Sequence, residues 1–369
     1  MGGTSWGGSE ELWSQAAILL AKEGFAVSAS VVRWPEPHHR VRDLARQGVK
    51  LHPRPEAFHV GQKIRHRLAR DVRSPAEMAV AALLDAEKPG LVLFSDGGPL
   101  PPIALLELCA ARGIAFVTLG HVYARESWID DETAARYRKV LPSAKRCYFV
   151  AKAGIQIAER LIGAPLHNCE VIRNPFNVDF DARPPWPDAG DGGVLRIATV
   201  GRLHPPSKGQ DILFDVLAGD RWRDRPWRLT LYGEGPTRDL LRRLAERLGI
   251  GVKITFAGSV PPEEIWSENH VLALPSRYEG LPLVIVEAML CGRPVLATDV
   301  AGNSEVIEDG VTGFLAEAPT VKAVARSMER LWEHRGDLPA MGAAGAKLIR
   351  ELVPREPARV FADKLRVLL

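Results

Sequence analysis

Cysteine is scarce in this chain: four occur in 369 residues, at 109, 147, 169 and 291. No two stand in a CxxC spacing, so neither a zinc site nor a disulfide framework is indicated, and a reducing cytoplasm is the expected setting. Long apolar runs are missing as well, since no stretch approaches the ~18 residues a membrane span requires. The opening MGGTSWGGSEELW has no basic segment followed by an apolar one and does not read as a signal peptide. Net charge is small: 48 Lys plus Arg against 45 Asp plus Glu leave +3, too little to argue for a nucleic-acid partner. Internal repeats and low-complexity segments are absent. What remains, 46% hydrophobic and 25% charged, is an ordinary globular composition, long enough for two domains.

The charge is unevenly placed. Between Arg33 and Arg73 lie nine arginines, two lysines and five histidines against four acids. Such a segment reads either as the solvated faces of two surface helices or as a basic surface for anionic lipid or an acidic acceptor. Its only interleaved aromatics are Trp34 and Phe58, which disfavours single-stranded nucleic acid.

Apolar, β-rich runs alternate with helical patterns along the whole chain. FAVSASVV (25–32), LVLFSD (91–96), IAFVTLG (114–120), RCYFVA (146–151) and CEVIRN (169–174) read as strands. VDFDARPPWPDAGDGG (178–193) has a linker's composition. After it the alternation restarts with LRIATV, LTLY, ITFAG, VLALP, PVLAT and GFLA, each followed by a helical or loop pattern, NSEVIED among them. Near-continuous apolar strands alternating with helices predict parallel sheets covered on both faces. The expected organisation is an N-terminal domain at 1–178, a linker at 179–193, a second domain at 194–353, and an amphipathic helix at 354–369 that returns to the first domain. Ligands in such folds bind beyond the carboxyl ends of strands, so the cleft between the domains is the expected site. The Gly-rich start, GGTSWGGSEE, looks like a loop that should follow a strand, and a first N-terminal strand is apparently missing from the sequence.

Several strand-to-helix loops carry chemistry. In VGRLHPPSKGQDIL (200–213), Gly201 opens a turn, and Arg202 and Lys208 flank a Pro-containing loop before a helix. A helix N-terminus with two cations makes an anion site, although two solvated loop cations would look the same. In LYGEGPTRDLL (231–241), Gly233 and Gly235 permit close backbone approach, but Arg238 stands where a dinucleotide fingerprint needs its third glycine. FAGSVPPEEI (256–265) places Gly258 in a similar loop. In SRYEGLPLVIVEAML, Glu279 sits in a Gly-Pro turn and Glu287 in an apolar helix. Carboxylates are rarely buried without purpose. Either Glu279 caps the helix and Glu287 is ion-paired, or both hold hydroxyls of a polyol. Beside a diphosphate site, the second alternative describes a nucleotide-sugar pocket.

At these residues the C-terminal half resembles family 4 of the retaining glycosyltransferases, known also as glycosyl transferases group 1, whose fold is GT-B. The resemblance rests on the Glu-x7-Glu pair Glu279/Glu287, on Arg202 and Lys208, on GEGP (233–236), and on AMLCGRPVLATDVAGNSEVIEDGVTGFL (288–315). It is strong from about 194 to 316 and weaker in GGSEE (7–11), His121 and VIRNPFNVD (171–179). It implies an α/β chain of two Rossmann-like, doubly wound parallel-sheet domains facing a cleft. It also implies a retaining hexosyl transfer from a nucleotide-diphosphate sugar, UDP-linked by preference or GDP-linked, to a hydroxyl of a glycan, a lipid-linked sugar or a small molecule.

By the same resemblance, Arg202 and Lys208 bind the donor diphosphate and stabilise the leaving group. Glu287 holds the ribose, and Glu279 and His121 lie at the donor sugar. Backbone amides of Gly280 and Leu281 touch sugar and phosphate, Gly201, Gly233 and Gly258 line the donor site, and Gly7 and Gly8 approach the diphosphate from the other domain. His121 alone could equally be a hydrogen-bonded loop residue. No cofactor or metal is implied. Asp179-Phe180-Asp181 spells a DxD, a metal motif of another glycosyltransferase fold, but it lies in the linker. The alternatives are a GT-B sugar-nucleotide epimerase and a catalytically weak nucleotide-sugar-binding subunit. Expected partners are the donor and its acceptor, with peripheral contact to an anionic membrane at the inner face and no nucleic acid.

Overall fold

The computed structural model describes residues 6–55, 74–123, 127–188 and 193–369. The first described element is the helix Gly8–Lys22. β1 (Ser28–Val32) and β2 (Lys50–Arg54) pair in parallel as a separate two-stranded sheet. β3 (Val92–Asp96), β4 (Phe116–Gly120), β5 (Arg146–Phe149) and β6 (Cys169–Val171) form a four-stranded parallel sheet in sequence order. Strands that alternate with helices were expected to join one sheet, and here they divide between two. β2 escaped the sequence reading because KLHPR carries Pro53 and no apolar alternation. It pairs only with β1 among the described strands, an edge position that tolerates proline.

The second domain is the more regular. β7 (Leu195–Val200), β8 (Trp227–Tyr232), β9 (Ile254–Gly258), β10 (Val271–Leu274), β11 (Val295–Thr298) and β12 (Gly313–Ala316) form one parallel sheet. Their order is β12-β11-β10-β7-β8-β9, the doubly wound arrangement with its reversal between β7 and β10. Every residue of β4, β10 and β11 is buried, as expected of strands covered on both faces. NSEVIED does not become a helix. Asn303 donates through Nδ2 to Thr298 O (2.9 Å), which pulls the chain back after a single 3-10 turn, Asn303–Glu305.

One apolar cluster runs from Leu12, Leu106 and Tyr148 in the first domain to Leu281, Val284 and Ile285 in the second, so the domains share core. The helix Pro357–Leu368 crosses back onto Gly8–Lys22. Phe361 meets Tyr148 edge-on at 5.2 Å between ring centres, Lys364 pairs with Glu170, and Arg359 and Arg366 reach Glu23.

The segment after Asn177 is gripped from the second domain. Arg293, 2% exposed, donates to Trp266 O (2.8 Å) and Pro185 O (2.6 Å). Arg350 donates to Phe180 O (3.0 Å) and Ala182 O (3.2 Å). The DxD carboxylates are used locally: Asp181 takes two hydrogen bonds from Arg355 (2.7 and 3.1 Å), and Asp179 accepts from Asp181 N (2.7 Å).

Candidate functional site

β7 and β10 are neighbours, but the chain leaves them toward opposite edges of the sheet. Their exits diverge, and a crevice opens above their carboxyl ends. The loop after β7 carries Gly201, Arg202 and Lys208, and the loop after β10 carries Ser276, Arg277, Glu279 and Gly280. Lys208 and Glu279 therefore meet by topology, with Arg202 on the same β7 exit as Lys208.

The three strand exits on the β9 side nest on one another through glycine. Gly233, at φ +119°, lies where an added Cβ would stand 2.3 Å from Gly201 O, so no side chain fits. Gly201 N bonds Tyr232 O (2.9 Å) and Gly233 N bonds Gly258 O (2.7 Å). This layering holds the backbone of the β7, β8 and β9 exits in one rim.

Lys208 Nζ donates to Glu279 Oε1 at 2.5 Å, and Ser276 Oγ donates to the same oxygen at 2.7 Å. Glu279 is buried, while the Lys208 side chain keeps 22% exposure. One ammonium proton is committed to Glu279, which leaves two donors for an anion. Arg202 Nε is buried and has no hydrogen-bond partner among the described residues. A guanidinium N–H at a strand exit is able to donate to an anion.

The first domain closes on this loop. Tyr123 N donates to Glu279 O (2.8 Å), and an added Cβ on Gly280 would fall 1.6 Å from His121 O. Glycine at 280 is thus required by contact between the domains. His121 is 3% exposed; its Nε2 lies 3.2 Å from Ser95 Oγ, and its Nδ1 is buried without a partner. Burial pushes the imidazole down to about 3, so it is neutral and offers a dipole rather than a charge. Gly8 also reaches the second domain, lying where an added Cβ would be 3.1 Å from Leu283 Cδ1.

Glu287, expected either to hold the ribose or to be ion-paired, is held through one oxygen by an asparagine. It is 5% exposed, and its Oε1 accepts from Asn177 N (3.0 Å) and Asn177 Nδ2 (2.9 Å). Burial raises its carboxyl above the ordinary range, with the Asn177 bonds working against that. It anchors the start of the linker to the helix Leu283–Leu290. Sequence reasoning also missed Ser276, Tyr123, Asn177 and Glu305. Glu305 takes Ala153 N (2.9 Å) and an Arg173 guanidinium donor (3.3 Å) across the domain boundary. The one available signal was their position inside the motifs SRYEG, HVY, NPFN and GNSE.

Residues 195–334 match the profile of the family described as glycosyl transferases group 1. The chain is 33% identical over 189 residues to the GDP-mannose-dependent alpha-(1-6)-phosphatidylinositol monomannoside mannosyltransferase of Mycolicibacterium smegmatis, covering 46% of this chain and 49% of that protein. It is 36% identical over 157 residues to the D-inositol 3-phosphate glycosyltransferase of Nocardia farcinica, covering 40% of this chain and 34% of that protein. The chain thus spans about half or less of these curated relatives. Among solved structures, Anabaena HepE in complex with UDP superposes with a TM-score of 0.72 at 18% identity, covering 98% of this chain and 96% of that one. Sucrose-phosphate synthase of Thermosynechococcus elongatus gives 0.69 at 19%, covering 96% and 92%. At such identities the likeness concerns the fold.

Proposed function

We propose, from the match of residues 195–334 to the group 1 glycosyltransferases and from the GT-B frame, that the chain moves a sugar, with retention, from a nucleoside-diphosphate sugar to an acceptor hydroxyl. The observation that carries this reading is the meeting of Lys208 with Glu279 at the sheet's reversal point, with Arg202, whose Nε has no partner among the described residues, on the same β7 exit. Arg202 and the two remaining Lys208 protons hold the diphosphate. Glu279, tied to the same ammonium, receives sugar hydroxyls. Glu287 Oε2 takes a ribose hydroxyl while Oε1 keeps Asn177, and neutral His121 faces the sugar.

As the C1–O bond to the β-phosphate breaks, negative charge grows on the diphosphate, where the two cations are already in place. The acceptor oxygen bonds C1 on the same face, and its proton passes to the departing phosphate oxygen. No side-chain base and no metal is required in this scheme. UDP-sugars are the favoured donors and GDP-sugars the next.

The test is a thermal melt with UDP, GDP, ADP and their sugar conjugates in EDTA. A nucleotide at about 100 times its Kd adds roughly 2.7 kcal/mol to the native state. A shift with one base class fixes the donor. The absence of any shift, with or without Mg²⁺, would overturn the proposal.

The acceptor reading is a glycan or a lipid-linked sugar. Of the basic stretch 33–73, residues 56–73 lie outside the described residues. In the described part, Lys50 pairs with Glu87 (2.6 Å) and Arg46 with Asp43 (3.2 Å), which lowers the free positive charge. No helix among the described residues is long and apolar enough to cross a membrane. Peripheral contact with anionic lipid is tested by liposome sedimentation, where failure to co-sediment removes it.

A further inference from the structure

Lys208 ends a single helical turn, Pro205–Lys208, too short to hold itself. Three contacts pin that turn to the exit of β10. Arg277 N donates to Ser207 O (2.8 Å), and Arg277 Nη1 donates to Pro205 O (2.7 Å). Gly209, at φ +65°, lies so flat on the strand exit that an added Cβ would stand 2.0 Å from Pro275 O. The same guanidinium grips Asp211 with two hydrogen bonds, Nη1–Oδ1 at 2.8 Å and Nη2–Oδ2 at 2.7 Å. Asp211 stands in the first turn of the helix Gln210–Ala218, which follows immediately. Burial alone would raise the Asp211 carboxyl, yet the Arg277 contacts hold it below its ordinary value.

The geometry points to Arg277 and Asp211 as a positioning pair: one guanidinium, two residues before Glu279, fixes the turn that presents Lys208, and so sets the ammonium at the donor diphosphate. This rests on the glycosyltransferase reading of the site. The fork needs Arg: two parallel bonds to a carboxylate plus a third to a carbonyl match a planar guanidinium, and an ammonium cannot reproduce them. Both side chains remain about a third exposed, at 34% and 35%, so the pair contributes little stability as an ion pair. Its effect is on where Lys208 stands.

The test compares wild type, Arg277→Lys, Asp211→Asn, Lys208→Ala and the double variant Lys208→Ala/Arg277→Lys. Each is titrated calorimetrically with the nucleoside diphosphate and with the monophosphate of the same base. Arg277→Lys and Asp211→Asn are expected to weaken the diphosphate by about ten-fold, the scale of one charge-assisted contact. Monophosphate affinity should stay within about two-fold. In the Lys208→Ala background, Arg277→Lys should add no further loss. Equal losses for both nucleotides, or full additivity in the double variant, would overturn the pairing in favour of general distortion.

A second readout needs no nucleotide. Amine labelling followed by peptide mass spectrometry should find Lys208 several-fold more reactive in Arg277→Lys than in wild type. Unchanged labelling would sink the pair. If the wild type binds neither nucleotide, the glycosyltransferase reading fails, and the labelling still decides whether Arg277 positions Lys208.

Discussion

His121 and Glu287 are both buried, and their titrations run in opposite directions. The imidazole is held at about 3 in the folded chain, against about 6.5 when unfolded. The unfolded state then binds more protons below pH 6.5, so stability is full above that value and is lost as pH falls toward 3. A His121→Gln variant, neutral at every pH, should lose about 2 kcal/mol less than wild type between pH 7 and 5. Urea unfolding at the two pH values measures this, and equal losses would show an ordinary imidazole. For Glu287 the folded carboxyl is raised. Its contribution is therefore greatest below the unfolded carboxyl pKa and declines as pH rises through the folded one. Glu287→Gln keeps an acceptor for Asn177 and removes the buried charge. At pH 7.5 it should melt no lower than wild type while turnover falls ten-fold or more, a stability gained at the expense of activity. A lower melt with intact turnover would show that the carboxylate serves the linker alone.

At the scale of loops and helices, the proposed chemistry lies at the strand exits. Arg202→Ala and Lys208→Ala should each cut turnover ten-fold or more, since each removes a charge-assisted contact strengthened as the leaving group departs. Wild-type turnover in both would refute the site. Gly280→Ala must move His121 O or the loop itself; destabilisation of about 1–3 kcal/mol is expected, read as a fall in Tm. An unshifted Tm would mean that the contact between the loops is slack.

Eleven of the twelve described strands were legible, most clearly the buried parallel ones, which are continuous apolar runs, as in VLAL and FVTLG. Arg202, Lys208 and Glu279 could be singled out because they stand in strand-exit loops, where ligands bind in such folds. Partners distant in sequence could not. Asn177 lies 110 positions from Glu287 and Arg277 lies 66 from Asp211, and no local spacing announces such pairs. Arg293 shows the same limit. It was assigned no role from the sequence, yet its guanidinium is buried among carbonyls of the second domain and the linker.

At the scale of the whole molecule, Glu305 makes two of the polar contacts that join the domains among the described residues. Its carboxylate caps the first turn of the helix Lys152–Ile162 and pairs with Arg173 at 3.3 Å. Glu305→Ala should loosen the closed arrangement. A larger radius of gyration in small-angle scattering and a lower kcat/KM for donor are expected, and an unchanged scattering profile would assign closure to the shared apolar core instead. The return of Pro357–Leu368 to the first domain reaches beyond the finished structure. A ribosome releases the chain from its N-terminus, and domains ordinarily fold in that order as they emerge. Here the apolar side of Gly8–Lys22 and the ring of Tyr148 wait for Phe361 and its neighbours, which are made only after the second domain. The first domain therefore stays unsealed throughout translation of the second. Nascent chains stalled before residue 354 should be held by chaperones or lost to proteolysis, although every residue of the cleft has already been synthesised.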